Sequence, residues 1–442
     1  MGGLPRRATF IKQEISDGVP TLILDSGNLF TKKVLSEPAL ENAVRKGELI
    51  LRAMETMGYK AAAVGEMDLY LGRENLDRLA GSTSVKFLSA NLKSANGRPV
   101  YSPYTITTVG KIKVGIFGLT SRDVDVKMME QRFPGVWVDD PITTASALLP
   151  KLRKKTDLIV ALTHIGVGKD KELARSVKGI DVIVGGKSRT WLKNPLQVRS
   201  TLITSGYFQG RAMGRLFLSF RDRHTGWADG NRIDFLKEQL QVLEKGGDVL
   251  PGVPRDREGL TRELDKARSM TRIDGDMITL TERFGDDRQI ASFIRDYRKE
   301  LKKQAQARVV ENVTSDTPDR YLGTKACVDC HRTRSAFWAG TAHARALSAL
   351  VPKGAEADHD CLPCHVTGYL KPTGYTPAAP RPDLVNVQCE ACHGKGSLHV
   401  SSPDIYGLIK MPPASICLGC HIADHDDDFD YIRDRRLVCE EL

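Results

Sequence analysis

The sequence lacks any long apolar run. No stretch approaches the roughly 20 apolar residues that a helix needs to cross a bilayer, although 41% of the 442 residues are hydrophobic. A membrane-spanning protein is therefore not expected, and we predict a soluble or peripheral one. The chain is too long for one ordinary domain, and its apolar content is enough for two or three folded units.

Signatures of nucleic-acid binding are also missing. The net charge is +10, but there is no zinc finger, no RNA-binding signature and no interleaving of aromatic with basic residues. Residues 321–442 hold 12 Lys and Arg against 15 Asp and Glu, so the basic excess lies in the first 320 residues. We predict no nucleic-acid partner and interpret the basic surface as solvated or as facing acidic partners.

Hydrophobic periodicity divides the chain into three regions. In residues 1–225, short apolar runs such as TLILDSG and LIVALTHIG alternate with helical patterns, which indicates buried strands in α/β layers. Residues 226–320 are charged, with apolar residues at three-to-four spacing, and this predicts an amphipathic helical linker. In residues 321–442 long periodic stretches disappear while Cys, His, Gly and Pro become frequent, which predicts a domain with little regular structure.

The last region contains four CxxCH motifs, which use eight of the nine cysteines. Two thiols three residues apart reach the two vinyl groups of one haem, and the histidine that follows them binds its iron. We therefore predict four covalently attached haems c. The predicted attachment sites are Cys327 and Cys330, Cys361 and Cys364, Cys389 and Cys392, and Cys417 and Cys420, with proximal ligands His331, His365, His393 and His421.

Zinc sites and disulfide bonds are the alternatives for paired cysteines. Zinc also binds CxxC pairs with histidines, but it does not require a histidine directly after every pair. Disulfides between such cysteines form strained loops and leave the histidines unexplained. The first cysteines of successive motifs are 34, 28 and 28 residues apart, which is too little peptide for independent cores. The macrocycles are therefore expected to form the core, close enough together for rapid electron transfer.

Four histidines of this region remain, one for each expected iron: His343, His359, His399 and His425. Bis-histidine coordination closes an iron to small ligands and suits electron transfer. Cys439, the ninth cysteine, has three interpretations: a distal thiolate ligand, a free or intermolecular thiol, or an incidental residue in a terminal tail. A thiolate needs a depressed pKa, whereas a histidine binds as a neutral ligand. We therefore expect His425 rather than Cys439 to complete the ligand set.

The segments YLGTKACVDCH, FWAGTAHARAL, CLPCHVTGY and VQCEACHGKGSLH resemble the tetrahaem cytochrome c family named for the electron acceptor of hydroxylamine oxidoreductase. The resemblance runs from about Tyr321 to Tyr431, within a domain that we place at 321–442. It implies that His343, on a helix after Trp338, and His399, after the third motif, are distal ligands.

The segments LILDSGNLF, VGEMDLYLG, LIVALTHIG and VIVGGKSRT resemble the two-metal phosphoesterases of the 5′-nucleotidase type, over residues 2–220. Those enzymes hold two metals with Asp, Asn and His ligands and use them to polarise a phosphate and to form a hydroxide nucleophile. The resemblance implies an αββα sandwich. The chain departs from the family at Asn28 (a bridging Asp), Glu66 and Met67 (an Asn ligand and a catalytic His), and Lys187 and Arg189 (two His ligands), and of these ligand positions only His164 is kept.

Lys187 and Arg189 bring positive charge to positions where the family has metal ligands. This is incompatible with a dinuclear site of that type, so we expect a catalytically inactive domain. The two residues are expected to pair with Glu66 or to bind an anion, and a structural salt bridge is the interpretation that we favour.

The sequence therefore predicts an α+β multidomain protein: a metallophosphatase-like domain at 1–225, a helical linker at 226–320 and a haem-packed multihaem cytochrome c domain at 321–442. We expect an electron-transfer protein rather than an enzyme, with the phosphoesterase-like domain as scaffold or docking module. The alternatives are a haem enzyme that acts on a small nitrogen or sulfur species at an open axial position, and a metal-dependent phosphoesterase.

Partners and location follow from the same assignment. We expect redox partner proteins, among them other multihaem cytochromes, and a homo-oligomer or stacked assembly. Haem attachment to CxxCH takes place outside the cytoplasm, so we predict a periplasmic or extracellular protein. The opening residues MGGLPRRATFIKQEISDGVP contain no export signal. A truncated or mis-started N-terminus is the expected explanation, because the first metal-binding motif of the phosphoesterase family is missing from the same end.

Overall fold

The computed structural model describes residues 3–16, 18–31, 37–207, 209–220, 226–307, 318–377, 380–422, 426 and 428–438. Its contacts divide the chain into two compact units, Met1–Phe293 and Ile294–Leu442. Within the described residues, no helix combines the length and the apolar character needed to cross a membrane.

The first unit is a mixed α/β structure. Its strands are β1 Ile23–Asp25, β2 Tyr59–Ala63, β3 Lys86–Leu88, β4 Leu92–Ser94, β5 Tyr104–Val109, β6 Ile112–Thr120, β7 Val136–Val138, β8 Leu158–His164, β9 Val182–Gly185, β10 Leu196–Val198, β11 Thr201–Ser205, β12 Ala212–Ser219, β13 Trp227–Asp229 and β14 Thr271–Thr279. Its helices are α1 Leu4–Ser16, α2 Glu37–Thr56, α3 Arg73–Gly81, α4 Val126–Arg132, α5 Pro141–Arg153, α6 Val167–Ser176, α7 Gly230–Glu244, α8 Arg257–Arg268 and the start of α9 Arg288–Ala307.

Two sheets form the centre of this unit. One is parallel, in the order β1-β2-β3, and the other has six strands in the order β10-β11-β9-β8-β6-β5. The alternation of side chains along a strand explains how they pack. Ala61 and Ala63 of β2 share one buried cluster with Val160 and Leu162 of β8, so this cluster lies between the sheets. Ala62 instead joins the cluster that contains the α2 and α3 side chains.

The outer face of the six-stranded sheet is covered by helices. Ile159 and Ala161 of β8 pack with Leu149 of α5 and Leu173 of α6. The order of layers is therefore helices, sheet, sheet, helices. The parallel strands β6, β8 and β9 direct their carboxyl ends to one edge, and β1 and β2 do the same in the other sheet.

The segment after residue 225 differs from the expected helical linker. Helices α7, α8 and α9 are present, but β14 pairs with both β12 and β13 in a three-stranded sheet. Trp227 and Ile273 pack into the core between the two main sheets. The structure therefore places residues 226–293 in the first unit. The segment TRIDGDMIT is highly charged, so its sequence does not indicate a strand. In the structure Thr271, Ile273 and Met277 of this strand are buried.

The second unit contains little regular structure, as expected. Beyond the end of α9 its helices are short: α10 Arg332–Ala339, α11 Cys389–His393, α12 Ser397–Ser401, α13 Ala414–Cys417 and α14 Tyr431–Asp434. Among its described residues, the hydrophobic cluster has five buried members, Tyr321, Leu362, Val366, Tyr375 and Leu384. Large apolar side chains are exposed instead, among them Ile405 at 75%, Met411 at 63% and Leu437 at 66%. Peptide alone does not cover the apolar surface of this unit.

Candidate functional site

The carboxyl edge of the first unit brings together four of the six residues that the sequence singled out there. Asn28 follows β1, Glu66 follows β2, His164 ends β8 and Lys187 follows β9. Glu66 lies at the centre, because its Oε1 is 3.5 Å from Asn28 Nδ2 and 3.8 Å from Lys187 Nζ. Its Oε2 lies 3.7 Å from His164 Nε2. The convergence expected from the resemblance is therefore present.

Asp68, which the sequence reasoning did not select, positions this group. Its carboxylate accepts hydrogen bonds from the backbone N–H groups of Asn28, Leu29, Phe30 and Gly65, and the side chain is buried. One buried acid therefore joins the loop after β1 to the loop after β2. The available signal was an acidic residue directly before the apolar run LYL, where a solvated charge is not expected.

Lys187 makes its shortest contacts to a loop that the sequence reasoning also missed. Its Nζ donates to Asp123 Oδ2 at 2.7 Å and to Ser121 Oγ at 2.8 Å. Both partners follow the carboxyl end of β6, the edge at which ligands collect in sheets of this type. The expected pairing of Lys187 with Glu66 is present, and Asp123 is a second carboxylate on the same ammonium. Arg189 is exposed.

His164 is held as a neutral ring. Its Nδ1 lies 2.8 Å from the carbonyl oxygen of Ser26, and a carbonyl only accepts, so Nδ1 carries the proton and Nε2 has a lone pair. Burial lowers the pKa of this imidazole, against the opposing effect of Glu66. The unprotonated Nε2 faces Glu66 Oε2. This oxygen is buried and has no hydrogen-bond partner among the described residues.

These residues do not fit a pair of metal ions. Glu66 and His164 could supply one ligand atom each, but among the described residues no group of three or more His, Cys, Asp or Glu side chains is placed to hold a metal. Lys187 opposes a cation as well. Two unit positive charges about 4 Å apart repel by about 4 kcal/mol at an effective dielectric constant near 20, and a divalent ion doubles that repulsion.

The four CxxCH motifs of the second unit lie in short helical turns. Thr324–Cys327 and Leu362–Cys364 are 3-10 turns, and the third and fourth motifs start in α11 and at the end of α13. The Cys327 side chain lies beside that of Cys389, and the Cys420 side chain lies beside that of Cys364. The first motif therefore adjoins the third, and the second adjoins the fourth.

This unit contains two pairs of histidine rings, and the two rings of each pair face one another. The ring centroids of His331 and His399 are 6.4 Å apart with an interplanar angle of 18°. Those of His343 and His421 are 5.9 Å apart at 58°. Metal–imidazole bonds of about 2 Å, plus roughly 1 Å from nitrogen to ring centre on each side, put two axial ligands of one metal about 6 Å apart. Both pairs have that spacing.

Four of the expected ligands have a hydrogen-bond acceptor at Nδ1. His365, His393 and His399 direct Nδ1 to the carbonyl oxygens of Ala346, Ile409 and Tyr406, at 2.5, 2.5 and 2.7 Å. His421 directs it to Asp426 Oδ2 at 2.7 Å. A proton on Nδ1 leaves the lone pair on Nε2, which is the arrangement of a metal-binding histidine with an outer hydrogen-bond acceptor.

The remaining distal candidates have different surroundings. His343 lies in a 3-10 turn, His343–Arg345, and not on the expected helix, because α10 ends at Ala339 before Gly340. His359 Nδ1 contacts the Tyr369 hydroxyl. His425 and Cys439 lie outside the described residues, so their expected roles stay predictions.

Glu390, inside the third motif, is a positioning residue that the sequence did not indicate. Its buried carboxylate accepts from the backbone N–H groups of Leu322, Gly323 and Gly396. The segment before the first motif is therefore attached to the third motif. A variable position within CxxCH carries no signal for such a role, because its partners are distant in sequence.

The second unit fits covalently bound haem on these observations. Paired rings have the spacing of axial ligands, the Nδ1 atoms of four histidines have acceptors, and apolar side chains without cover surround the motifs. The cysteines and proximal histidines of the four CxxCH motifs are the groups that would hold it.

Comparisons with known proteins agree with both parts. Residues 326–394 match the family described as cytochrome c554 and c-prime. The chain is 34% identical over 199 residues to 5′-nucleotidase of Bos taurus, covering 43% of this chain and 33% of the relative. It is 29% identical over 249 residues to snake venom 5′-nucleotidase of Gloydius brevicauda, covering 50% of this chain and 41% of the relative.

A solved structure agrees as well. The Thermus thermophilus sulfate thiohydrolase SoxB matches with a TM-score of 0.52 and 21% identity, over 69% of this chain and 48% of that one. This likeness shows the fold alone. The chain spans less than half the length of these relatives. The two resemblances read from the sequence are confirmed: a cytochrome c554-like segment follows a region similar to 5′-nucleotidases.

Proposed function

We propose that this protein is a multihaem c-type cytochrome that transfers electrons through four covalent haems, with the phosphoesterase-like unit as a catalytically inactive scaffold or docking module. The observation that carries the proposal is the pair of rings His331 and His399, at the spacing and near-parallel orientation of two axial ligands. The second pair, His343 and His421, supports it independently.

The ring pairs suggest how the ligands are distributed. His331 of the first motif takes His399 as its distal partner, and His421 of the fourth motif takes His343. His365 and His393 are the proximal ligands of the second and third motifs. His359 and His425 remain the distal candidates for these two irons.

The histidines and cysteines of the second unit support electron transfer as the proposed role. Bound haem iron supplies one-electron redox chemistry. Two histidines on one iron exclude small ligands, and the contacts of Cys327 with Cys389 and of Cys364 with Cys420 bring attachment sites from different motifs together. Short separations between redox centres are what rapid electron hopping requires.

The partners and location are part of the proposal. The covalent chemistry of CxxCH favours a periplasmic or extracellular protein, and redox proteins are the expected partners, other multihaem cytochromes among them. A homo-oligomer or stacked assembly remains a proposal that sedimentation of the haem-loaded protein tests.

Intact-mass measurement of the exported protein tests the number of haems. The mass should exceed that of the polypeptide by four haem groups, and a Cys417→Ala/Cys420→Ala double variant should exceed its own by three. A wild-type excess of three haems or fewer, or zinc bound in stoichiometric amount, would show the assignment to be wrong.

A further inference from the structure

We propose that Lys187 is a built-in substitute for a metal ion: its ammonium holds the carboxyl-edge loops of the first unit together, and the site is independent of divalent metals. The inference rests on the proposed inactivity of this unit and does not depend on the haems. The residues of this site do not fit a dinuclear metal centre, and the Lys187 ammonium stabilises the site in its place.

The ammonium lies between two carboxylates from different strand ends. Nζ is 2.7 Å from Asp123 Oδ2 and 3.8 Å from Glu66 Oε1. Glu66 has only 7% of its side chain exposed, whereas Asp123 has 60%. A divalent metal ion in a phosphoesterase links ligands from several strand ends through a single cation. Lys187 makes a link of the same kind between the loops after β2 and β6, from its own position after β9.

Glu66 needs a positive neighbour. A buried carboxylate without a cation is strongly unfavourable. His164 presents the lone pair of Nε2, because its Nδ1 proton goes to Ser26, so it does not neutralise Glu66 as a cation would. Asn28 contributes an amide and no charge. Of the side chains described around Glu66, Lys187 supplies the permanent charge.

The backbone of this loop is fixed in an unusual conformation. Lys187 has φ 69° and Asn28 has φ 59°, in the left-handed region that non-glycine residues seldom occupy. Gly186 approaches the site so closely that a Cβ there would lie 2.5 Å from His164 Nδ1. Such conformations persist when surrounding interactions hold them. At Lys187, the contacts of its ammonium with Asp123, Ser121 and Glu66 contribute to that restraint.

Thermal unfolding of the full haem-loaded chain tests the proposal, with Lys187→Met as the variant. Lys169→Met is the matched control, because Lys169 Nζ lies 3.7 Å from the same Asp123 with half its side chain exposed. The transition of the first unit should fall by roughly 3–6 °C in Lys187→Met and by about 1 °C in the control. Wild-type protein should show the same transition in EDTA, Mn²⁺ and Zn²⁺.

A double-mutant cycle with Glu66→Gln keeps the test decisive if Lys187→Met folds poorly. Removal of the carboxylate charge should make Glu66→Gln/Lys187→Met at least as stable as Lys187→Met alone. Equal losses in the two lysine variants, additive effects in the cycle, or a wild-type transition that rises with Mn²⁺ or Zn²⁺ would overturn the inference. A nucleotidase assay tests the proposed inactivity of the first unit separately. Hydrolysis without added metal would refute that inactivity, but it would not change the stability results for Lys187.

Discussion

The imidazole rings of His331 and His399 lie 6.4 Å apart and within 18° of parallel, although one belongs to the first haem motif and the other follows the third. The His399 ring is fixed by its Nδ1, which donates to Tyr406. Two rings that arrive at the spacing of axial ligands from distant parts of the chain support the proposal that both bind one iron.

Replacement of His399 by Ala should convert one iron from low-spin to high-spin. The ring that faces His331 is then lost, and five-coordinate haem iron is high-spin. His343→Ala should do the same for the iron of His421. Electron paramagnetic resonance of the oxidised protein measures the number of high-spin centres.

Added imidazole provides the control for that experiment. It should restore the low-spin signal in each variant if the protein fold is intact and only the ligand is missing. A spectrum unchanged by His399→Ala would show that a different residue binds opposite His331.

Asp426 should lower the reduction potential of one haem. Its carboxylate is 2.7 Å from His421 Nδ1, whereas His365, His393 and His399 have neutral carbonyl acceptors. A charged acceptor increases the electron donation of the ring to the metal. Asp426→Asn should therefore raise one midpoint in a redox titration and leave the others near their wild-type values.

Asp428→Asn distinguishes the hydrogen bond from the general effect of nearby negative charge. Asp428 has 89% of its side chain exposed and pairs with Arg433 at 3.3 Å. Its replacement should shift potentials less than Asp426→Asn does. Equal shifts would assign the effect to through-space charge alone.

Asp170 should make the first unit less stable as the pH rises. Burial raises the pKa of this carboxyl to about 7, and Thr163 Oγ1 donates to it at 2.6 Å. A folded-state pKa above the unfolded value means that the stabilisation is full below about pH 4 and is lost as the pH rises through 7. The wild type should lose about 3 kcal/mol relative to Asp170→Asn between pH 5 and pH 8.

Urea unfolding at several pH values measures this difference. Asp265→Asn, on the exposed face of α8, is the control and should follow the wild type across the range. A constant difference between wild type and Asp170→Asn would mean that this carboxyl has the same protonation behaviour in the folded and unfolded chain.

No chelator-sensitive hydrolysis of nucleoside monophosphates is expected. Met67 supplies no catalytic imidazole, Lys187 opposes a divalent ion, and Asn28 bonds to Glu66 and to the Met67 N–H. Phosphate release should equal that of a protein-free blank, with or without Mn²⁺. Metal-dependent turnover that EDTA abolishes would contradict this prediction.

Several features were readable from the sequence because their causes are local. The continuous apolar run in LIVALTHIG produces a strand, β8, that is buried on both faces. Helices such as α2 and α5 alternate with strands of this kind. The segment 226–293 was misjudged as a linker, because β14 is stabilised by pairing with β12, more than fifty residues earlier. A strand whose exposed face is charged resembles a solvated helix when its partner is unknown.

The sequence by itself indicated which residues are expected to attach haem and at which positions the chain departs from the metal ligands of the phosphoesterase family. A CxxCH motif places both thiols and the proximal histidine within five residues, and the replacement of a ligand by lysine is visible without coordinates. Only the tertiary structure decided that His331 faces His399, that Lys187 bridges Glu66 and Asp123, and that Asp68 and Glu390 join loops through backbone amides. These relationships depend on side chains brought together by chain folding over long separations, and no local periodicity encodes them.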